Sequence, residues 1–136
     1  MPMVLDTSVA AAWALSETNH PLIEFSLVHF RKDSAFVPAL FWFEIRNTLV
    51  VNERRGRITE AGTASFLESI SKAMILVDQA PDQVRIMALA RQYSLTVYDA
   101  AYLELAQRRG LPLASLDQEL RAAAEVAGVA LVELAT

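Results

Sequence analysis

Met3-Val4-Leu5-Asp6-Thr7-Ser8-Val9-Ala10-Ala11-Ala12 is the stretch on which the fold turns. Three apolar residues run into an acid and two hydroxyls, and an alanine-rich segment over residues 9–15 follows, which reads as a strand, a polar turn and a helix start. The alternation recurs down the chain. Ala35-Phe36-Val37 is a short strand closed by Pro38, Ile75-Leu76-Val77 is apolar and β-branched, Leu113-Ala114-Ser115 runs into Asp117, and residues 129–134 form a last strand. Helices are predicted between them over 21–32, 40–55 with Gly56 at the end, 59–73 with Thr59 as N-cap, 81–93, 99–109 stopped by Gly110, and 118–127 before Gly128. Short apolar strands alternating with helices predict an α/β fold, a central parallel sheet of four or five short strands with helices on both faces. In such sheets ligands bind beyond the carboxyl ends of the strands, so chemistry is sought in the turn after each strand.

The 136 residues, 54% hydrophobic and 21% charged, are the material of one domain over 1–136. There is no cysteine, which excludes disulfides, thiolate metal sites and a cysteine nucleophile and fits a reducing cytoplasm. His20 and His29 stand in no zinc-ligand spacing. No apolar run approaches the about 20 residues that span a bilayer, and the N-terminus lacks the basic start of a secretory signal. A net charge of −4 argues against holding nucleic acid by bulk electrostatics. A nucleic-acid partner would need a local basic patch or bound cations. Signatures of other chemistries, GxSxG, the P-loop, GxGxxG and HExxH, are absent.

Four carboxylates remain to be explained. Asp6 follows the first strand and Asp117 the fourth, and each reads readily as a helix N-cap, as does Asp99 at a helix start. Glu44 does not. It sits in Ala39-Leu40-Phe41-Trp42-Phe43-Glu44-Ile45, where every upstream neighbour in that run is apolar, and on a helix it shares its face with Phe41, Asn47 and Thr48. A carboxylate there lies either on a narrow solvent stripe or partly buried with a partner, because a buried lone charge is too costly to keep, and a metal ion is a candidate partner. Oxygen-only ligands suit Mg²⁺ or Mn²⁺, and a site of that kind serves displacement at phosphorus by water.

Val4-Leu5-Asp6-Thr7-Ser8-Val9, Glu44-Ile45-Arg46-Asn47-Thr48-Leu49, Tyr98-Asp99-Ala100-Ala101-Tyr102-Leu103-Glu104-Leu105-Ala106 and Leu113-Ala114-Ser115-Leu116-Asp117 resemble, in order, the motifs of PIN-domain ribonucleases, most closely the VapC-type toxins of toxin–antitoxin pairs. The match spans nearly the whole chain. The resemblance implies a PIN-like three-layer fold, a Mg²⁺- or Mn²⁺-dependent endoribonuclease, and a homodimer neutralised by a VapB-type antitoxin. It implies that Asp6, Glu44, Asp99 and Asp117 surround the metal. Ser115 stands where the family often has Thr and keeps the hydroxyl; Thr7 and Ser8 occupy the polar turn after Asp6. Asn47, one helical turn from Glu44, would orient that carboxylate by a hydrogen bond.

Arg54, Arg55 and Arg57 cluster near one helix end and Arg108 and Arg109 at another, where basic residues complement the macrodipole. Arg46 is nearer Glu44 and better placed to meet RNA. Phe41, Trp42 and Phe43 read as core or dimer interface in preference to a base-stacking surface. Two other readings compete with this one. A phosphoacceptor receiver domain needs a lysine after a late strand, and the only lysines are Lys32 and Lys72. A catalytically silent PIN-like binding module would have no need of all four acids.

Overall fold

The computed structural model describes residues 1–15, 28, 30 and 32–132. Of the helix expected over 21–32, residues 28, 30 and 32 are helical, and the others lie outside the described residues, as do His20 and His29. Strands β1 (Met3–Leu5), β2 (Ala35–Pro38), β3 (Ile75–Asp78) and β4 (Leu113–Ala114) form one parallel sheet in the order β3-β2-β1-β4. The helices are α1 (Thr7–Ala14), α2 (Phe41–Arg54), α3 (Glu60–Ser71), α4 (Gln83–Tyr93), α5 (Val97–Arg109) and α6 (Gln118–Val126). Among the described residues the expected last strand makes a single parallel bridge between Leu131 and Leu113, with Val132 N donating to Leu113 O. Residues 133 and 134 of it lie outside the described residues.

Alternation along β1 builds the two cores. Met3 and Leu5 point into a cluster with Val9, Phe41, Ile45, Leu49 and Ile70, whereas Val4 points into one with Leu89, Leu103, Leu113 and Leu120. Helices α1 to α3 therefore cover one face and α4 to α6 the other, giving the expected three layers. Seven consecutive residues of α5, Ala100 to Ala106, are buried, because that helix packs on the sheet while α4 and α6 flank it. Among the described residues no helix is long and apolar enough to cross a membrane.

Several boundaries moved for local reasons. Helix α5 begins at Val97, two residues before Asp99, because Thr96 Oγ1 accepts the Asp99 amide at 3.0 Å and caps the helix there. It ends at Gly110, φ 63°, a left-handed turn that lets Leu111 N reach back to Ala106 O at 3.1 Å. Helix α4 starts after Asp82, whose Oδ1 accepts the Arg85 amide. Ser115 lies just beyond β4, not in it.

An ionic cluster fastens α5 to β3. Arg108 donates through Nη1 and Nη2 to Asp78 and through Nε to Glu104, and Arg109 adds a second fork to Asp78 while its guanidinium lies 4.2 Å from the Phe36 ring. Glu104 Oε1 also accepts the Asp82 amide. Asp78 and Glu104 are both buried, so their charges stand only because these donors meet them. The Arg108 hydrogen bonds hold the Asp78 carboxyl below its ordinary value of 3.8. That contribution is in force above the ordinary carboxylate range and is lost as pH falls through the lowered folded value. Arg108→Ala leaves Glu104 buried without a counter-charge and is expected to reduce unfolding free energy at pH 7 by about 3 kcal/mol, measured by urea denaturation; an unchanged midpoint would show that the cluster does not hold the fold.

Candidate active site

From β1 the chain winds outward through β2 to β3 and then returns to place β4 on the other side of β1. The crevice at the carboxyl ends of β1 and β4 is thus the switch point of the sheet, the place where open α/β sheets bind ligands. Asp6 leaves β1 there and Ser115 leaves β4.

Asp6 stands at the N-cap of α1 yet makes no side-chain cap hydrogen bond. Its Oδ2 instead accepts from Ser8 Oγ at 2.6 Å and Ser115 Oγ at 2.8 Å. Both hydroxyls are aimed by the backbone, Ser8 Oγ accepting the Leu116 amide and Ser115 Oγ the Asp117 amide. Each serine hydrogen is consequently free to point at the carboxylate, and the donors reinforce one another along the chain. Asp6 is only 5% exposed.

Glu44, in the first turn of α2, is held through one oxygen. Its Oε1 accepts from Tyr102 OH at 2.7 Å and from Thr7 Oγ1 at 3.1 Å, and those two hydroxyls lie 2.8 Å apart. Asp117 is a true cap, its Oδ1 accepting the Leu120 amide at 3.0 Å. Asp99 caps nothing, since Thr96 does that work. The three aspartates that looked alike in sequence therefore play three different local parts.

All four acids line one pocket of about 270 Å³, with Thr7, Ser8, Asn47 and Thr48 between them. Asn47 makes no hydrogen bond to Glu44 among the described residues; the orienting bonds come from Thr7 and Tyr102. Tyr102 went unnoticed in the sequence as anything but part of a motif. Its signal was there: a phenol on a helix stretch that is otherwise almost wholly apolar must find a polar partner when buried. Arg46 is exposed outside this pocket, its Nη1 donating to Trp42 O and its guanidinium 5.5 Å from the Trp42 ring centre.

Burial and mutual repulsion raise three of the acids. Burial pushes Asp6 up, against the two serine hydrogen bonds that oppose it, and Glu44 and Asp117 add to the rise. Burial likewise raises Glu44, opposed by Tyr102 and Thr7. Asp99 is pushed up to about 6, first by burial and then by Asp117 and Asp6. The donor set is all oxygen and short of positive charge, which suits a hard divalent cation. As they stand, no three acidic or imidazole side chains among the described residues close up far enough to hold a metal ion.

Fold and site together define a doubly wound α/β protein with an acidic crevice at its switch point. The chain belongs to the PIN domain family, whose sequence profile matches residues 3–126. It is similar to Ribonuclease VapC3 of Pyrobaculum aerophilum, 31% identical over 123 residues that cover 88% of this chain and 92% of that one. Among solved structures, PAE2754 from the same organism superposes with a TM-score of 0.70 at 27% identity, covering 90% of this chain and 84% of that one. A toxin–antitoxin complex from Klebsiella pneumoniae shares the fold at a TM-score of 0.59 and 17% identity, covering 85% of this chain and 86% of its own.

Raised carboxyl values have a stability signature. Well below pH 4 these groups are neutral in both folded and unfolded chains, and this contribution to stability is fully present. It is lost as pH rises through the folded values, near 6 for Asp99. In EDTA, Asp99→Asn is expected to melt above the parent at pH 7 and to converge with it near pH 4. Parallel melting curves at both pH values would show that Asp99 feels neither burial nor its neighbours.

Proposed function

We propose that residues 1–136 form a single PIN domain acting as a Mg²⁺- or Mn²⁺-dependent endoribonuclease toxin of the VapC type, neutralised by a VapB-type antitoxin in the cytoplasm. One observation carries this reading: Asp6, Glu44, Asp99 and Asp117, scattered over the sequence, line one crevice at the switch point of the sheet. The likeness to Ribonuclease VapC3 supports the substrate class.

In this reading Asp6, Glu44, Asp99 and Asp117 would hold the cation once drawn together around it. A divalent cation bound there supplies charge neutralisation for the phosphodiester and lowers the pKa of the attacking water. The chain's own contribution is placement. Ser8 and Ser115 fix the Asp6 carboxylate, and the Leu120 amide fixes Asp117. Neither serine of the crevice has a hydroxyl hydrogen to spare, because Ser8 and Ser115 spend theirs on Asp6, and the nucleophile in this reading is water. Attack at phosphorus breaks the bond to the 3′-oxygen and leaves a 5′-phosphate and a 3′-hydroxyl. Arg46, two residues from Glu44 and exposed, is the residue assigned to an RNA phosphate outside the pocket.

The homodimer belongs to the same proposal. Phe43 is 79% exposed on α2, whereas Phe41 is fully buried, so the aromatic run divides between the core and a surface that a second copy would cover. Two-fold pairing is the commonest symmetry for such a surface.

Cleavage of RNA by the purified chain is expected to require Mg²⁺ or Mn²⁺ and to fall at least about 100-fold in Asp6→Asn and in Asp99→Asn, with folding retained by circular dichroism. Undiminished cutting in excess EDTA, or a 2′,3′-cyclic phosphate product, would contradict the mechanism.

A further inference from the structure

Tyr102 lies three residues along α5 from Asp99 and reaches across to α1 and α2. It is fully buried, and its hydroxyl makes the shortest contact to Glu44, 2.7 Å to Oε1. Thr7 Oγ1 touches the same oxygen and the Tyr102 hydroxyl, closing a triangle of three oxygens across three helices. Two hydroxyl hydrogens serve these three contacts, so the Tyr102 hydrogen goes to the shorter carboxylate bond and Thr7 divides its hydrogen between the other two. The other oxygen, Oε2, accepts no hydrogen bond from any described residue, and Glu44 lines the acidic pocket.

We propose that Tyr102, assisted by Thr7, is a positioning residue that occupies one oxygen of Glu44 and leaves the carboxylate a single oxygen to offer the pocket. The proposal rests on the reading of Glu44 as a cation ligand. Asp6 follows the same rule, with Oδ2 taken by two serines and Oδ1 accepting from no described residue, so these two acids are both prepared as one-oxygen ligands. That arrangement favours the small octahedral ions, which bind carboxylates sparingly and keep several waters, over Ca²⁺, which often takes a carboxylate through both oxygens. Tyr102 thereby acts on which cation is held as well as how tightly.

The test is Mn²⁺ and Ca²⁺ binding to the purified full chain by isothermal titration calorimetry, with melting in EDTA as the control for folding. Tyr102→Phe is expected to weaken Mn²⁺ binding about 10- to 100-fold and to narrow the preference for Mn²⁺ over Ca²⁺. Thr7→Val is the second variant should Tyr102→Phe fold poorly, with a smaller loss in the same direction, and Thr7→Ser should restore parental binding. A Tyr102→Phe protein that melts lower in EDTA yet binds Mn²⁺ within twofold of the parent, with the Ca²⁺ preference unchanged, would show that the hydroxyl serves packing alone and overturn the proposal. Absence of Mn²⁺ binding in the parent would instead overturn the reading of the pocket itself. Parental binding lost in Glu44→Gln but kept in Tyr102→Phe would sink the positioning role and leave that reading standing.

Discussion

Burying the Asp6 carboxylate at the end of the central strand is the constraint around which the molecule is arranged. Strand β1 is covered on both faces, so an acid at its carboxyl end has little water to lean on. Two serine hydroxyls, one from the first turn of α1 and one from just beyond β4, replace that water. The requirement reaches further, because the serines must themselves be aimed, and the amides of Leu116 and Asp117 do this. A single buried charge thereby ties β1, β4 and the start of α1 into one rigid edge.

The same edge is electrostatically strained. Asp6, Glu44 and Asp99 all sit above their ordinary carboxylate values because burial and like charge disfavour ionisation. Such clusters mark functional sites more often than structural ones. The contrast with Asp78 is instructive. Also buried, and at the carboxyl end of β3, it is met by two arginines and driven the other way. One fold thus contains acids of both kinds, Asp78 and Glu104 met by arginine and Asp6 and half-buried Glu44 met by hydroxyls, and it is the second pair that is left needing positive charge.

Much of this was legible in the residues. The strands around Val4, Phe36, Leu76 and Leu113 were short apolar runs ended by turn residues, and burial on both faces explains why β1, β2 and β4 lacked polar alternation, whereas Leu76 of the edge strand β3 is exposed. Glu44 could be singled out because an acid in an aromatic run must find either a narrow solvent stripe or a partner, and half-buried Glu44 has hydroxyl partners. The three aspartates could not be told apart, since a cap and a pocket acid occupy the same turn; only the position of Thr96, the free choice of Asp6 for serines, and the Leu120 amide on Asp117 separate them. The partners of Glu44 were out of reach for a different reason. Thr7 and Tyr102 meet it across 37 and 58 residues of chain, and no local period encodes a contact of that range. Near Leu131 the apolar pattern is that of a strand, while among the described residues Leu131 alone bridges the sheet.

The central claim is that the four acids form one cation site at the switch point. Crystals of the chain soaked in Mn²⁺ and measured at the manganese absorption edge test it most directly. The account predicts an anomalous peak within the crevice, with oxygens of Asp6 and at least one of Glu44, Asp99 and Asp117 at about 2.0–2.2 Å, the range for a small octahedral cation. A peak only on the protein surface, or none in crystals that diffract as well as the unsoaked ones, would contradict it.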